Sequence, residues 1–219
     1  MRNLRIWFSK TGRAKYVSHL DLNRCMLRAF RRSGVPVWYT EGFNPHPYVT
    51  FALPLPLGAE SINDVMDIKI DGEISDNEIV HRLNAVLPEG LRILRAAEPW
   101  GKPDEISLAK YEIYFDKESS DPGLLVELIS RGEIICERMG KQSGRKVMKQ
   151  INLAEHIREY SISENDGLYI LYITLSAGSA ANANPMLLAD YITKESGGRL
   201  EIKNLRRTEL LTRDGAEFI

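Results

Sequence analysis

The chain has two cysteines in 219 residues, Cys25 and Cys136, far apart. An iron–sulfur cluster generally needs four cysteine ligands or a close substitute, so this chain is not expected to hold one. Both thiols read as buried and free, Cys25 on the core side of its helix. No apolar run is long enough to span a membrane, and Met1-Arg2-Asn3 leads straight into a strand-like L-R-I-W-F, so a cytoplasmic protein with no membrane partner is expected. Neither the Walker pattern G-x-x-x-x-G-K-[ST] nor G-x-G-x-x-G occurs; the nearest approach to a phosphate-cradling turn is Ser176-Ala177-Gly178-Ser179. Ordinary metal-site spacings are missing too, and the set His19/Asp21/His46 does not supply them, so no metal is expected. Charge of either sign is not in excess: 29 Lys and Arg stand against 30 Asp and Glu, and bulk charge gives no reason to expect nucleic acid.

The charge that is present is polarised. Residues 1–50 carry nine Lys or Arg against two acids, whereas residues 51–100 carry four against nine. Local density governs a phosphate-binding face, so the basic end marks the candidate surface. It coincides with Tyr16–Gly58, the most patterned stretch of the chain. Ser18 and Asp21 have capping-box spacing and open a helix. Leu22, Cys25, Met26 and Ala29 form its apolar stripe, while Arg24, Arg28, Arg31 and Arg32 recur on the other side. Gly34 stops the helix, Val35 to Tyr39 reads as a strand, and Glu41-Gly42-Phe43-Asn44-Pro45-His46-Pro47 follows. Two prolines hold Asn44 and His46 in extended conformations, a stiffness that suits a recognition loop made of Glu41, Gly42, Phe43, Asn44 and His46.

The segments S-H-L-D, G-F-N-P-H-P and F-A-L-P-L-P-L-G, in this order, resemble the bacterial radical-SAM-linked family of uncharacterised domains, and Leu205-Arg206-Arg207-Thr208 extends the likeness towards the C-terminus. The resemblance implies a radical SAM protein as partner. The iron–sulfur cluster and S-adenosylmethionine would belong to that partner, and no cofactor to this chain.

The remaining pattern predicts an α+β fold of two tandem ferredoxin-like (βαββαβ) units: residues 1–98, a turn-rich linker at 99–104, and residues 105–219. Leu4–Phe8, Tyr48–Leu53, Val65–Ile70 and Leu91–Leu94 read as strands of the first unit, with a second helix capped by Ser75. In the second, Tyr111–Phe115 and Leu168–Leu175 are strands, Asp121 with Pro122 starts one helix, and Pro185 starts another. Glu133–Cys136 and Val147–Leu153 flank a basic hairpin-like turn, Lys141–Lys146.

An RNA-binding surface made of Lys10, Arg13, Lys15, Arg24, Arg28, Arg31, Lys141, Arg145 and Lys146 is expected, with Tyr16, Trp38, Tyr39 and Phe43 as stacking groups. A solvated helix face and a solvated hairpin tip are the alternatives for the arginine row and the hairpin cations. An accessory RNA-binding module serving a radical SAM partner is the leading expectation. Tandem ferredoxin-like units with a histidine by the first helix also resemble, more distantly, the CRISPR RNA-processing endoribonucleases. That likeness implies a metal-independent cleavage for which His19, Tyr16 and Lys15 are the catalytic candidates. A protein–protein adaptor without nucleic acid is the third reading.

Overall fold

Alternation of bulky and charged residues makes Arg2–Lys10 the first strand, β1, with Leu4, Ile6 and Phe8 fully buried on one side and Arg5 and Trp7 on the other. Ser18 caps α1 (His19–Ser33) by accepting from the Asp21 N–H at 3.1 Å, and Gly34 ends the helix at φ 65°, a conformation glycine adopts without penalty. Leu22, Met26, Ala29 and Phe30 are its buried face, each large side chain worth about 1.5–3 kcal/mol. Cys25 is only half-buried, a correction to its expected core position: Phe30 takes the stripe and leaves Cys25 on the rim. The computed structural model describes residues 1–142, 145–179 and 181–218, the side chains of residues 141, 142, 145 and 146 excepted.

The expected strand at 35–39 shrinks to two isolated bridges, Val37 with Ile70 and Tyr39 with Pro47. Then come β2 (Val49–Phe51), β3 (Glu60–Ile70), α2 (Asp76–Asn84), β4 (Leu91–Ala97), β5 (Ile106–Asp116), α3 (Pro122–Ile129), β6 (Ile135–Gln142), β7 (Arg145–Asn152), β8 (Ile157–Asn165), β9 (Leu168–Ser176), α4 (Pro185–Glu195) and β10 (Ile202–Thr212). The caps at Ser75 and Asp121 are where the sequence places them.

The protein has a mixed α/β architecture, with one large mixed sheet and four α-helices among the described residues. The sheet runs β4-β1-β3-β10-β5-β9-β8, with β2 paired to β3. An architecture of two separate sheets is therefore corrected. The reason lies at the edge of β3. Pro54 and Pro56 confine β2 to three residues opposite Met66–Ile68, so the first residues of β3 keep unpaired backbone groups. β10 takes that edge, parallel to β3 at Arg206↔Glu60 and Arg207↔Ser61, while lying antiparallel to β5 on its other side. β6 and β7 stay outside this sheet as a two-stranded hairpin with Lys141 opposite Lys146, in keeping with the expected hairpin.

Two apolar cores follow. One lies under α1 and α2; the other fills the second half of the chain but also takes Trp7, Leu53, Leu55, Ala59 and Val65 from the first. The segment 99–104 is pinned rather than free: buried Arg5 donates to the carbonyls of Trp100 and Gly101, both at 3.1 Å, and pairs with Asp67 through two contacts of 2.8 and 2.9 Å. No helix among the described residues is long and apolar enough to cross a membrane.

Candidate nucleic-acid interface

A one-turn 3-10 helix, Gly12–Tyr16, carries the chain from β1 into α1 and sets three candidate side chains at one end of that helix. Tyr16 is 68% exposed. The Lys15 ammonium lies 5.4 Å from its ring centroid and donates to Asn204 Oδ1 at 3.1 Å, which holds the cation beside the ring. His19, the first residue of α1, is exposed and sets its ring edge-on to Phe51 at 5.1 Å. Arg13 and Leu20 are exposed alongside. His19, Tyr16 and Lys15 thus sit close in the chain at one surface, but no hydrogen bond links the three; each has a different neighbour.

Beneath this surface three of the four sequence motifs meet, S-H-L-D, F-A-L-P-L-P-L-G and L-R-R-T. Gly58 of F-A-L-P-L-P-L-G donates its N–H to the Lys15 carbonyl at 2.9 Å, and Phe51 of the same motif touches His19 of S-H-L-D. Buried Glu60 accepts from the Gly12 N–H and from Asn204, both at 2.8 Å, and from Arg206 at 3.1 Å. Burial alone would raise the Glu60 carboxyl, but these donors outweigh it and hold the group below the ordinary carboxylate range. A carboxyl depressed in the folded state stabilises above its unfolded pKa, and that contribution is lost as pH falls through the folded value. Glu60→Gln should therefore be less stable than the parent at pH 7, with the gap closing below about pH 4. Chemical denaturation at both pH values checks this; an equal gap at pH 3 and pH 7 would mean that the carboxylate charge contributes nothing.

The second arginine of L-R-R-T is fully buried. Arg207 pairs with Asp64 and donates to the Leu53 carbonyl at 2.8 Å, with Tyr111 beside it. Lys10 belongs to the same cluster. It is 1% exposed and donates to the Lys15 carbonyl at 3.3 Å, so its expected role as a phosphate contact is corrected. It ends β1 just past a register shift between Phe8 and Lys10, and burial there pushes its ammonium pKa down. Sequence reasoning assigned no role to Glu60, Asp64, Asn204, Arg206 or Arg207; the available signal was the L-R-R-T motif itself, two adjacent arginines on a strand that must face opposite sides. Arg206 also donates to Tyr114, whose phenol is pushed up to about 12 by burial and by its bond to Glu112, so Tyr114 stays neutral.

Along α1 the arginines form an exposed row. Arg24 is paired with Asp21 at 3.1 Å, while Arg28, Arg31 and Arg32 line a groove of about 440 Å³ with Cys25, Val86 and Pro88. The recognition loop Glu41–His46 is exposed throughout, with Phe43 completely so. Gly42 turns it at φ 121°. His46 closes it: its N–H donates to Thr40 Oγ1 at 3.2 Å, its carbonyl accepts from the Thr40 N–H, and Nδ1 is 3.0 Å from the Asn44 carbonyl. A carbonyl only accepts, so Nδ1 carries the proton in that bond. His46 is thus a loop clamp, and no hydrogen bond or ring contact joins it to His19. Lys69 lies over both Trp38 and Tyr48 at the base of the loop, 4.9 and 5.0 Å from their centroids.

On the β6–β7 hairpin, Arg138 stands opposite Lys149 and Lys141 opposite Lys146, like charges in directly facing positions. The backbone of Lys141, Arg145 and Lys146 is described, their side chains are not, and the tip Ser143–Gly144 lies outside the described residues. Ser176-Ala177-Gly178-Ser179 packs against the start of β5: a Cβ on Gly178 would lie 2.0 Å from the Ile106 carbonyl oxygen, and the Ala177 N–H donates to the Ser107 carbonyl at 2.8 Å. Among the described residues no group of three or more His, Cys, Asp or Glu is placed to hold a metal ion.

No curated protein sequence matches the chain. Among solved structures, a chain of the "Crystal Structure of a Cbf5-Nop10-Gar1 Complex" superposes with a TM-score of 0.48 at 9% identity, over 94% of this chain and 48% of that one. The chain thus spans about half the length of that structure. Residues 3–185 match a family model, and the chain belongs to that family, described as an uncharacterised protein conserved in bacteria (DUF2344).

Proposed function

We propose that the chain is an accessory RNA-binding module serving a radical SAM partner, which would carry the iron–sulfur cluster and S-adenosylmethionine. The observation that carries this reading is the run of exposed cations along α1 that ends at an exposed tyrosine. From His19 to Arg31 the helix rises roughly 18 Å, the span of several nucleotides, with arginines at one end and Tyr16 over Lys15 at the other. Basic tracks with aromatic stacking groups are the usual means of holding unpaired nucleic acid. Arg13, Lys15, Arg24, Arg28 and Arg31 supply phosphate contacts in this reading, and the hairpin cations Lys141, Arg145 and Lys146 a second set. Phe43, fixed at a clamped loop tip, is suited to docking the partner protein.

The strand orders β4-β1-β3-β2 and β10-β5-β9-β8 support a finer reading of the fold: two ferredoxin-like units, residues 1–98 and 105–219, joined through β3 and β10.

The endoribonuclease reading has one observation in its favour, the proximity of Lys15, Tyr16 and His19. The test is incubation of the purified chain with a structured RNA in EDTA. A shifted but intact RNA is expected. Cleavage to a 2′,3′-cyclic phosphate that falls roughly 10²–10⁴-fold in His19→Ala would instead make His19 a general acid or base and the chain an enzyme.

A further inference from the structure

The groove at the far end of α1 holds more positive charge than a solvated helix face requires. Its lining is Arg28, Arg31, Arg32, Cys25, Val86 and Pro88, and none of these is acidic. Arg28 stands three and four residues before Arg31 and Arg32, the spacing at which like charges on a helix repel. Three other arginines of this half are compensated, Arg24 by Asp21 at 3.1 Å, Arg82 by Glu78 at 2.7 Å and Arg2 by Asp76 at 2.6 Å. Exposed Arg13, Arg92 and Arg95 stand singly, whereas at this groove three arginines converge on one concavity. Asp21 is the one acid on α1, and no carboxylate comes within ion-pair distance of Arg28, Arg31 or Arg32 among the described residues. The helix dipole favours cations in the last turn, which accounts for Arg31 and Arg32 but not for Arg28 a turn earlier. Arg32 is anchored, its Nη2 donating to the Val86 carbonyl at 2.5 Å, so one wall of the groove is preset. The volume, about 440 Å³, suits a phosphate with an attached sugar and ring, and Val86 and Pro88 give that ring an apolar wall.

We infer that this groove is a phosphomonoester site that takes a 5′-phosphorylated nucleotide, either free or at the end of a strand. This deepens the RNA-binding reading, because a strand end seated here would run along α1 towards Tyr16. Three guanidinium groups are matched better by the near-dianionic charge of a monoester than by the single charge of an internal diester.

Cys25 in the groove wall reports occupancy. Its thiol is half-buried and free, and burial already pushes its pKa up, so a bound anion slows its alkylation further. The experiment follows iodoacetamide labelling of Cys25 in the full chain by mass spectrometry, with buried Cys136 as internal reference, while 5′-AMP or adenosine is titrated. AMP is expected to protect Cys25 and adenosine is not. Arg28→Gln with Arg31→Gln, both surface changes, should weaken that protection about tenfold or more, the loss expected for charge-assisted contacts to phosphate. A 5′-phosphorylated oligoribonucleotide binding more tightly than its 5′-hydroxyl counterpart assigns the site to strand ends; equal binding with AMP protection assigns it to a free nucleotide. No protection by AMP overturns the proposal. If RNA binding still depends on Arg13, Lys15 and Arg24 in that case, the RNA-binding reading stands without it; if RNA does not bind at all, that reading fails separately.

Discussion

Asp64→Ala is expected to lower the unfolding free energy by about 3–5 kcal/mol, because it leaves two buried cations with no counter-charge. Arg207 is 0% and Lys10 1% exposed, and the carboxylate of Asp64 faces both. Burial pushes the Asp64 carboxyl up and the Lys10 ammonium down, so these charges persist only in each other's company. The pair also joins the halves of the molecule, since Asp64 is on β3, Arg207 on β10, and the Leu53 carbonyl bonded to Arg207 belongs to the proline-rich segment between β2 and β3. Arg207→Met should cost less than Asp64→Ala, because it removes a buried charge as well as breaking a pair. Urea denaturation of both single variants and the double gives a coupling energy, expected to exceed about 1 kcal/mol. Additive effects within a few tenths of a kcal/mol would mean that the pair is not a unit.

The second large effect concerns binding. Changing Arg13, Lys15, Arg24 and Arg28 together to alanine should weaken RNA binding roughly 10²–10³-fold at 0.1 M salt, since each phosphate contact to a single strand adds about 0.7 to the salt exponent. All four side chains are exposed or half-buried, so the fold should survive; only Lys15 has a tie to the second half, through Asn204. Far-UV circular dichroism controls for that loss. Unchanged affinity in a folded variant would leave the arginine row as a solvated helix face.

Local features were the legible ones. The caps at Ser18, Ser75 and Asp121 rest on a side-chain oxygen two or three residues before the N–H it accepts from, and such contacts are written in adjacent residues. The basic hairpin was legible for the same reason: two strand-like runs flank a short turn. β8 was missed because its Ile157–Asn165 is polar and largely exposed, an edge strand with no alternation to read. Closure of the sheet through β3 and β10 was not legible, because it is a choice among free edges made far apart in the chain. Lys10 was misplaced on its charge alone; only a structure shows that its neighbours are a buried acid and a second buried cation. His19 and His46 stay apart because each side chain finds a nearer partner, Phe51 for one and the loop's own Thr40 and Asn44 for the other.

The central claim is that α1 and the loop before it present phosphate contacts to RNA. The most direct test is the slope of log affinity against log salt for one single-stranded RNA, measured with the parent chain and the four-alanine variant. The account predicts a parent slope of about −3 or steeper and a variant slope shallower by roughly 2–3. A parent slope near zero, or equal slopes for the two proteins, would contradict it.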